Sequence, residues 1–234
     1  MKALLLAAGL GTRLRPVTNT IPKCLVPING KVLLEYWLEK LIDIGIKEIL
    51  INTSYLSEQV EIFINNSIYK KYVTVVHEEK LLNTGGTVLS NKNFFGNEPF
   101  LLIHADNLSF FSFQDFITSY VNRPLYCDIT MMLFNTDNPS SCGVVKLDEN
   151  NVVREFHEKV KNPPTTLANA AVYICSPSIF KFLEDLNKIE IDFSLDVLPH
   201  YIGRINTYTN HKYHRDIGTI DSYALSQIEI LSFT

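Results

Sequence analysis

The sequence contains few cysteines, no long hydrophobic run and no excess of positive charge. Its 234 residues include four cysteines with no C-x-x-C pair among them, which argues against a zinc site or a disulfide framework. No apolar run approaches the roughly 20 residues that span a bilayer. The N-terminus lacks the basic region and cleavage site of a signal peptide. We therefore expect a cytoplasmic protein that does not associate with membranes.

The charge balance argues against a protein that binds nucleic acid. Lysine and arginine together number 21 against 25 aspartates and glutamates, which gives a formal net charge of −4. A protein that binds nucleic acid needs a basic face to displace counterions from the phosphate backbone, and this balance provides none. A small anionic ligand requires only a local basic pocket. The length suits one α/β domain with a full core, and we predict a single domain over residues 1–234.

The N-terminal segment has the make-up of a phosphate-binding loop, although it lacks two common phosphate motifs. An apolar run breaks at Gly9 and Gly11, and the cations Arg13 and, after a proline, Lys23 follow. There is no lysine directly after the second glycine, as a P-loop requires, and no third glycine, as G-x-G-x-x-G requires. Glycine lets backbone N–H groups approach an anion, and the cations neutralise it. The alternative is an ordinary turn with solvated basic residues.

The hydrophobic pattern of the first third alternates between strand and helix. Strands are predicted over 3–8, 48–52 and 73–77, with amphipathic helices over 31–45 and 56–66 between them. Such β-α-β-α-β alternation predicts a parallel sheet covered by helices on both faces. Ligands of these sheets bind beyond the C-terminal ends of the strands, where the glycine loop would also open.

The pattern changes after residue 127, where short strands follow one another without helices between them. They are predicted over 128–134, 143–147, 152–156 and 170–174, and this spacing indicates antiparallel pairing. Helices are predicted over 179–186 and 195–202 and after residue 219. The predicted fold class is therefore α/β, a single Rossmann-like three-layer domain with a mostly parallel central sheet and antiparallel strands in its C-terminal half.

One carboxylate suits a metal on its position alone. Asp106 ends the apolar strand predicted over 99–106 and would border the ligand crevice. Magnesium prefers one or two carboxylate oxygens together with phosphate oxygens and water. The alternative is an aspartate that only caps the following turn.

The N-terminal segment as a whole resembles the signature of the sugar-1-phosphate nucleotidyltransferases, also called nucleoside-diphosphate-sugar pyrophosphorylases. The family order is L-A-A-G-x-G-T-R-L-x-P-x-T followed by P-K, and it is matched here by Leu6, Ala7, Ala8, Gly9, Gly11, Thr12, Arg13, Leu14, Pro16, Thr18, Pro22 and Lys23. The resemblance implies the fold of that family, nucleotide binding by the positions from Leu6 to Thr12, and catalytic roles for Arg13 and Lys23. It also implies a nucleotide-binding half over 1–110 and a sugar-phosphate-binding half over 111–234.

The same resemblance assigns roles further along the chain. It places the base beside Thr84, Gly85 and Gly86, gives Mg²⁺ to Asp106 and Asp216, and gives the sugar phosphate to Gly143, Glu158, Lys159 and Asn169. Departures from the family pattern occur at Asn83, Ala105, Val160 and Ala171. The alternatives are a helix cap at the base segment, a turn acid at Asp216, a surface ion pair at Glu158 and Lys159, and a turn asparagine at Asn169.

By resemblance, the reaction joins a nucleoside triphosphate and a sugar 1-phosphate to give a nucleotide sugar and pyrophosphate. The T-G-G run and the length resemble most the bacterial mannose- or heptose-1-phosphate guanylyltransferases, so GTP is expected, in the synthesis of nucleotide sugars for surface polysaccharide. Enzymes that use UTP, CTP or dTTP are the alternative, for example N-acetylmuramate 1-phosphate uridylyltransferases. We expect a monomer or homodimer. Two other classes remain open, a non-catalytic nucleotide-sensing subunit and a dinucleotide oxidoreductase, the second disfavoured by the missing third glycine.

Overall fold

Residues 1–233 are described in a computed structural model, in which the chain forms two compact units. The first unit comprises Lys2–Leu81, Ile103–Phe110 and the segment that begins at Tyr213. The second unit comprises Leu82–Leu102 and Phe111–Lys212, together with Met1. The predicted single domain and its two halves stay a prediction.

The described residues form strands and helices close to the predicted positions. The strands are β1 (Lys2–Leu6), β2 (Pro27–Ile28), β3 (Lys31–Val32), β4 (Ile49–Thr53), β5 (Val73–His77), β6 (Phe100–His104), β7 (Asn107–Phe110), β8 (Ile129–Asn135), β9 (Gly143–Leu147), β10 (Val153–Glu158), β11 (Leu167–Cys175), β12 (Ile205–Thr209) and β13 (Tyr213–Asp216). The α-helices are α1 (Leu33–Asp43), α2 (Ser57–Asn65), α3 (Asn83–Ser90), α4 (Lys92–Phe95), α5 (Phe113–Val121), α6 (Ile179–Asp185) and α7 (Ile220–Glu229). None of the helices within residues 1–233 has the length and hydrophobicity needed to cross a bilayer.

The first unit is built on a parallel ladder of β1, β4 and β5. Leu6 at the end of β1 pairs with Asn52, and Thr53 of β4 pairs with His77. The inner residues of β1 and β4 are almost wholly buried. Their apolar runs predicted this, because the strands of a parallel sheet are covered on both faces. The helices α1 and α2 connect these strands in the predicted order.

A second, two-stranded ladder in the first unit was not predicted from the sequence. β7 and β13 are antiparallel, with Asn107 opposite Asp216. Helix α1 supports β7 directly, because Trp37 Nε1 donates to the carbonyl of Asn107 at 2.7 Å and the Lys40 ammonium donates to the carbonyl of Ser109. This ladder places residues that lie more than 100 positions apart in the sequence next to each other.

A cluster of buried apolar side chains fixes the turns of the first unit against α1 and β7. Its members are Leu14, Val26, Ile28, Leu33, Tyr36, Leu108, Ile217 and Ile230. Burying one such side chain contributes about 1.5–3 kcal/mol relative to leaving it exposed. The cluster therefore anchors the N-terminal turn through Leu14 and the segment after β13 through Ile217 to the same core.

The second unit contains the antiparallel strands that the sequence predicts. β11 pairs with β8 and β9, and β9 pairs with β10, all in antiparallel register. The exception is β12, which the sequence analysis missed and which runs parallel to β8. With the parallel ladder of the first unit, this confirms the predicted α/β class with a sheet of mixed direction.

One helix prediction needs correction. The segment 195–202 forms a π-helical turn over Phe193–Val197 and a 3-10 turn over Leu198–Tyr201, because Pro199 has no N–H to continue an α-helix. The helix predicted after residue 219 is confirmed as α7, and its Ile220 and Ile228 are 42 and 67% exposed. Tyr223 of the same helix packs against the apolar cluster and donates to the carbonyl of Pro27 at 2.7 Å.

We expect Ala171→Gly to stabilise the protein. Ala171 has a φ of +53°, a left-handed conformation in which a Cβ costs about 1–2 kcal/mol. The glycine variant loses that penalty against a smaller gain in unfolded-state entropy, so a net gain of about 0.5–1 kcal/mol is expected in urea unfolding. Ala168→Gly, at a regular buried position of the same strand, is the matched control and should lower stability. Lower stability in both variants would contradict this account of Ala171.

Candidate active site

The glycine loop begins where β1 leaves the parallel ladder. The carbonyl of Leu6 accepts the Ala105 N–H at 3.0 Å, and after Ala7 and the buried Ala8 the chain is exposed over most of residues 9–13. Gly11 has a φ of +62°, and a Cβ there would lie 2.9 Å from Cγ2 of Thr18. The Thr18 hydroxyl in turn donates to the carbonyl of Gly11 at 2.7 Å. Glycine is therefore required at position 11 on two counts.

Lys23 is the centre of a cluster of charged side chains in the first unit. It begins a 3-10 turn after Pro22, and its side chain is only 8% exposed. Its ammonium lies 2.7 Å from Oδ2 of Asp106 and 3.1 Å from Oδ1 of Asp216. One cation thus bridges the two carboxylates for which the sequence predicts a common metal.

The two carboxylates converge because of the β7 and β13 ladder. Asp106 lies in the turn before β7, and Asp216 is the last residue of β13. The N–H of Ile217 donates to the carbonyl of Asp106 at 3.2 Å, which ties the two turns together. The sequence around the two aspartates does not predict β7 or β13. The convergence of Asp106 and Asp216 was therefore expected only from the family resemblance.

Arg13 and Gly218 complete the cluster. Nη2 of Arg13 lies 3.5 Å from Oδ2 of Asp216, and most of the arginine side chain is exposed. A Cβ on Gly218 would lie 2.5 Å from that same Asp216 oxygen and 2.9 Å from Arg13 Nη2. The glycine of the D-I-G-T run therefore leaves room for these two side chains, which a Cβ would displace. Its role was not predicted, although the motif contained the residue.

The charges of the cluster sustain one another. Burial acts to raise the pKa of Asp106, but the ammonium of Lys23, with a smaller contribution from His104, outweighs it and lowers that pKa to about 2. Burial acts to lower the pKa of Lys23, but the carboxylates of Asp106 and Asp216 outweigh it and raise that pKa. Lys23 and Asp106 are therefore both charged at neutral pH.

The donor set suits a divalent ion that is shared with a polyphosphate. Asp106 and Asp216 offer hard oxygen atoms that both reach one ammonium, so their oxygens surround a common point. Within residues 1–233 no group of three or more histidine, cysteine, aspartate or glutamate side chains is placed to enclose a metal. Magnesium rarely uses an all-protein cage and is usually held by one or two carboxylates with phosphate oxygens and water. The residues present fit that preference.

In the second unit, the segment predicted to contact the base is packed against a neighbouring segment. The N–H groups of Gly85 and Gly86 both donate to the carbonyl of Ile191, at 2.7 and 3.1 Å. A Cβ on Gly86 would lie 2.5 Å from the carbonyl oxygen of Ile189. The Thr84 hydroxyl accepts the N–H of Phe193 at 2.8 Å. The glycines thus have a packing reason of their own, and their role toward the base stays a prediction.

The residues predicted to bind the sugar phosphate lie close together in the second unit. Gly143 of β9 is opposite Glu158 of β10, and a Cβ on this glycine would collide with the Glu158 carboxylate. The Lys159 ammonium lies 3.2 Å from Oε1 of Glu158. Asn169 is on β11, which pairs with β9. Its side chain is already engaged, since Oδ1 accepts the Ala171 N–H at 2.9 Å and Nδ2 donates to the Tyr173 hydroxyl at 2.7 Å.

Comparison with known proteins defines the class. A model of the family described as Nucleotidyl transferase matches residues 2–232, and the chain belongs to this family. The resemblance found in the sequence is confirmed at this level.

Several named proteins and solved structures are similar to this chain. The chain is similar to the mannose-1-phosphate guanylyltransferase catalytic subunit beta of Drosophila melanogaster, with 33% identity over 187 residues that cover 78% of this chain and 50% of the relative. Among solved structures it is similar to HddC from Yersinia pseudotuberculosis complexed with GMP-PN (TM-score 0.81, 27% identity, 98% and 99% coverage). It is similar as well to a UDP-glucose pyrophosphorylase complexed with UDP-glucose (TM-score 0.82, 25% identity, 100% and 99% coverage). The chain spans about half the length of the first curated relatives it matches.

We expect Gly218→Ala to lower turnover with little effect on stability. The backbone at Gly218 is outside the left-handed region, so an alanine is tolerated there except for its contacts with Asp216 and Arg13. Displacing these side chains by a fraction of an ångström should lower kcat/KM by roughly tenfold or more. The thermal midpoint should change by less than about 4 °C. An unchanged kcat/KM would show that the placement of Asp216 and Arg13 does not matter for the reaction.

Proposed function

We propose that the protein is a sugar-1-phosphate nucleotidyltransferase, which joins a nucleoside triphosphate and a sugar 1-phosphate and releases pyrophosphate. The observation that carries the proposal is the charged cluster of Lys23, Arg13, Asp106 and Asp216 beside the glycine loop. Family membership supports the reaction class.

The chemistry requires cations more than it requires a base. The attacking group is a phosphate oxygen of the sugar 1-phosphate, which already bears negative charge, and it displaces pyrophosphate from the α-phosphorus in line. The obstacle is repulsion between two anions, which amounts to roughly 4 kcal/mol for unit charges 4 Å apart at an effective dielectric constant near 20. Lys23 and Arg13 are proposed to neutralise the β- and γ-phosphates and the charge that develops on the leaving pyrophosphate.

Asp106 and Asp216 are proposed to hold Mg²⁺. When bound, this ion supplies positive charge to the phosphates and helps to orient them. Because Asp106 and Asp216 lie beside Lys23 and Arg13, the bound ion would add its positive charge to that of the two side chains, on one side of the glycine loop. The backbone around Gly9 and Gly11 is proposed to approach the phosphates closely, since much of it is exposed.

The remaining predicted residues are proposed to bind the base and the sugar. The sugar phosphate is assigned to Lys159, whose side chain is mostly exposed, and the sugar hydroxyls to Glu158 and Asn169 beside Gly143. The base is assigned to Thr84, Gly85 and Gly86. We expect the nucleoside triphosphate and the sugar 1-phosphate to be the main partners of the protein, which we expect to be a cytoplasmic monomer or homodimer.

For the substrates, we propose GTP and a mannose- or heptose-type 1-phosphate. The support is similarity to a protein named mannose-1-phosphate guanylyltransferase and to the structure of HddC with GMP-PN. A UTP-dependent enzyme is the alternative, supported by the similarity to UDP-glucose pyrophosphorylase.

A substrate panel tests the function directly. Pyrophosphate release should be measured with GTP, UTP, CTP and dTTP, each combined with mannose, heptose, glucose and N-acetylmuramate 1-phosphates. We expect turnover to be fastest with GTP and a mannose- or heptose-type substrate. Fastest turnover with UTP would replace GTP by the alternative, and no release of pyrophosphate with any pair would contradict the proposed activity.

Replacing Lys23 should affect turnover far more than sugar-phosphate binding. We expect Lys23→Ala to lower kcat by roughly a hundredfold or more, because it removes charge that stabilises the leaving pyrophosphate. The KM for the sugar 1-phosphate should change by no more than about threefold. Lys31→Ala is the matched control, since Lys31 pairs with Glu39 and is not part of the cluster. Equal, small effects on both kinetic constants would contradict the role given to Lys23.

Removing divalent ions should abolish turnover, and the metal requirement should depend on Asp106. We expect activity to be lost with a chelator and restored by Mg²⁺. In Asp106→Asn, half-maximal activity should need roughly tenfold or more Mg²⁺, because one of two charged ligands is lost. The control is Glu39→Gln, an acidic residue of the same unit outside the cluster. The same Mg²⁺ dependence in wild type and Asp106→Asn would exclude Asp106 as a ligand.

A further inference from the structure

A buried asparagine holds the first residue of the glycine loop. Oδ1 of Asn52 accepts the backbone N–H of Ala7 at 2.9 Å. Asn52 lies at the C-terminal end of β4, where it pairs with Leu6, and it is only 3% exposed. Its side chain therefore takes up the first backbone donor beyond the end of β1, at the point where the chain leaves the parallel ladder and turns toward Gly9.

A buried glutamate fixes the orientation of this asparagine. Oε1 of Glu78 accepts a hydrogen bond from Nδ2 of Asn52 at 2.9 Å, and Glu78 is 6% exposed. Glu78 itself is held by the neighbouring strand, since its N–H donates to the carbonyl of Thr53 at 2.7 Å. The chain of contacts thus runs from Glu78, which follows β5, through β4 to the loop after β1.

The donors and acceptors of this chain fit in one direction only. The N–H of Ala7 can only donate, so it takes the amide oxygen of Asn52, and the amide nitrogen is left to donate to Oε1 of Glu78. The amide of Asn52 must therefore turn its oxygen to Ala7 and its nitrogen to Glu78. A hydrophobic residue at position 52 would bury the Ala7 N–H without its acceptor, and an aspartate there would oppose the Glu78 carboxylate.

We infer that Asn52 and Glu78 are positioning residues for triphosphate binding, which act by holding Ala7 and hence the start of the glycine loop. Neither residue belongs to the family motif quoted above, and neither lies in the charged cluster around Lys23. The inference rests on the proposed function in one respect, that the loop binds the phosphates of the nucleotide. A looser loop then weakens the binding of the triphosphate and leaves the binding of the sugar 1-phosphate unchanged.

The test exchanges the donor and acceptor groups. Asn52→Asp keeps an acceptor for Ala7 but places a carboxylate against Glu78, whereas the double variant Asn52→Asp with Glu78→Gln supplies a side-chain amide that donates to the new carboxylate. We expect Asn52→Asp to raise the KM for GTP roughly tenfold, and the double variant to recover to within about threefold of wild type. The KM for mannose 1-phosphate should stay constant in both. If the panel selects UTP, the same measurements use UTP and its sugar 1-phosphate.

Two further variants separate positioning from a loss of folding. Asn206→Asp is a matched control, because Asn206 is also buried and its amide nitrogen donates to Ser119 and Thr130 of the second unit. It should lower the thermal midpoint without raising the KM for GTP. Asn52→Ala removes the acceptor without adding a charge and should raise that KM selectively. Equal KM values for GTP in Asn52→Asp and the double variant, or an unchanged value in Asn52→Ala, would overturn the inference. A wild-type protein that turns over no substrate pair would instead overturn the proposed function.

Discussion

The charged cluster of the first unit depends on one buried ammonium group. Lys23 reaches Asp106 and Asp216 at once, and its burial is tolerable only because two carboxylates compensate its charge. The dependence is mutual, since the same ammonium keeps the pKa of Asp106 well below its usual range. Three segments remote in sequence thus meet through one ion-paired group, and losing Lys23 leaves two neighbouring carboxylates without their shared cation.

Much of the secondary structure and strand pairing could be predicted from local patterns in the sequence. The apolar run before Gly9 forms β1, the alternation up to His77 gives the parallel ladder, and the short strands after residue 127 pair in antiparallel fashion. The requirement for glycine at position 11 also follows from its place in the turn, and the structure adds Thr18 as the side chain that approaches it. These features depend on residues close together in the chain, which is why periodicity and turn chemistry find them.

Features that depend on contacts between residues far apart in the chain could not be predicted from local patterns. β7 and β13 are four residues each, too short for a periodic pattern, yet their pairing brings Asp216 to Asp106. Which side of α7 is buried is likewise decided by distant contacts, since Tyr223 bonds Pro27 and Ile230 joins the apolar cluster, while Ile228 is exposed. Asn52 and Glu78 were passed over because an asparagine or a glutamate after an apolar strand looks like any turn residue until its partners are known.

The most direct measurement of the central claim is a crystal structure with Mn²⁺ and a non-hydrolysable GTP analogue, examined by anomalous diffraction. The account predicts an anomalous peak within about 2.3 Å of carboxylate oxygens from Asp106 and Asp216, with the triphosphate beside it and the Lys23 ammonium in contact with a phosphate oxygen. A triphosphate bound elsewhere, with Lys23 still bridging the two carboxylates and no manganese between them, would contradict it.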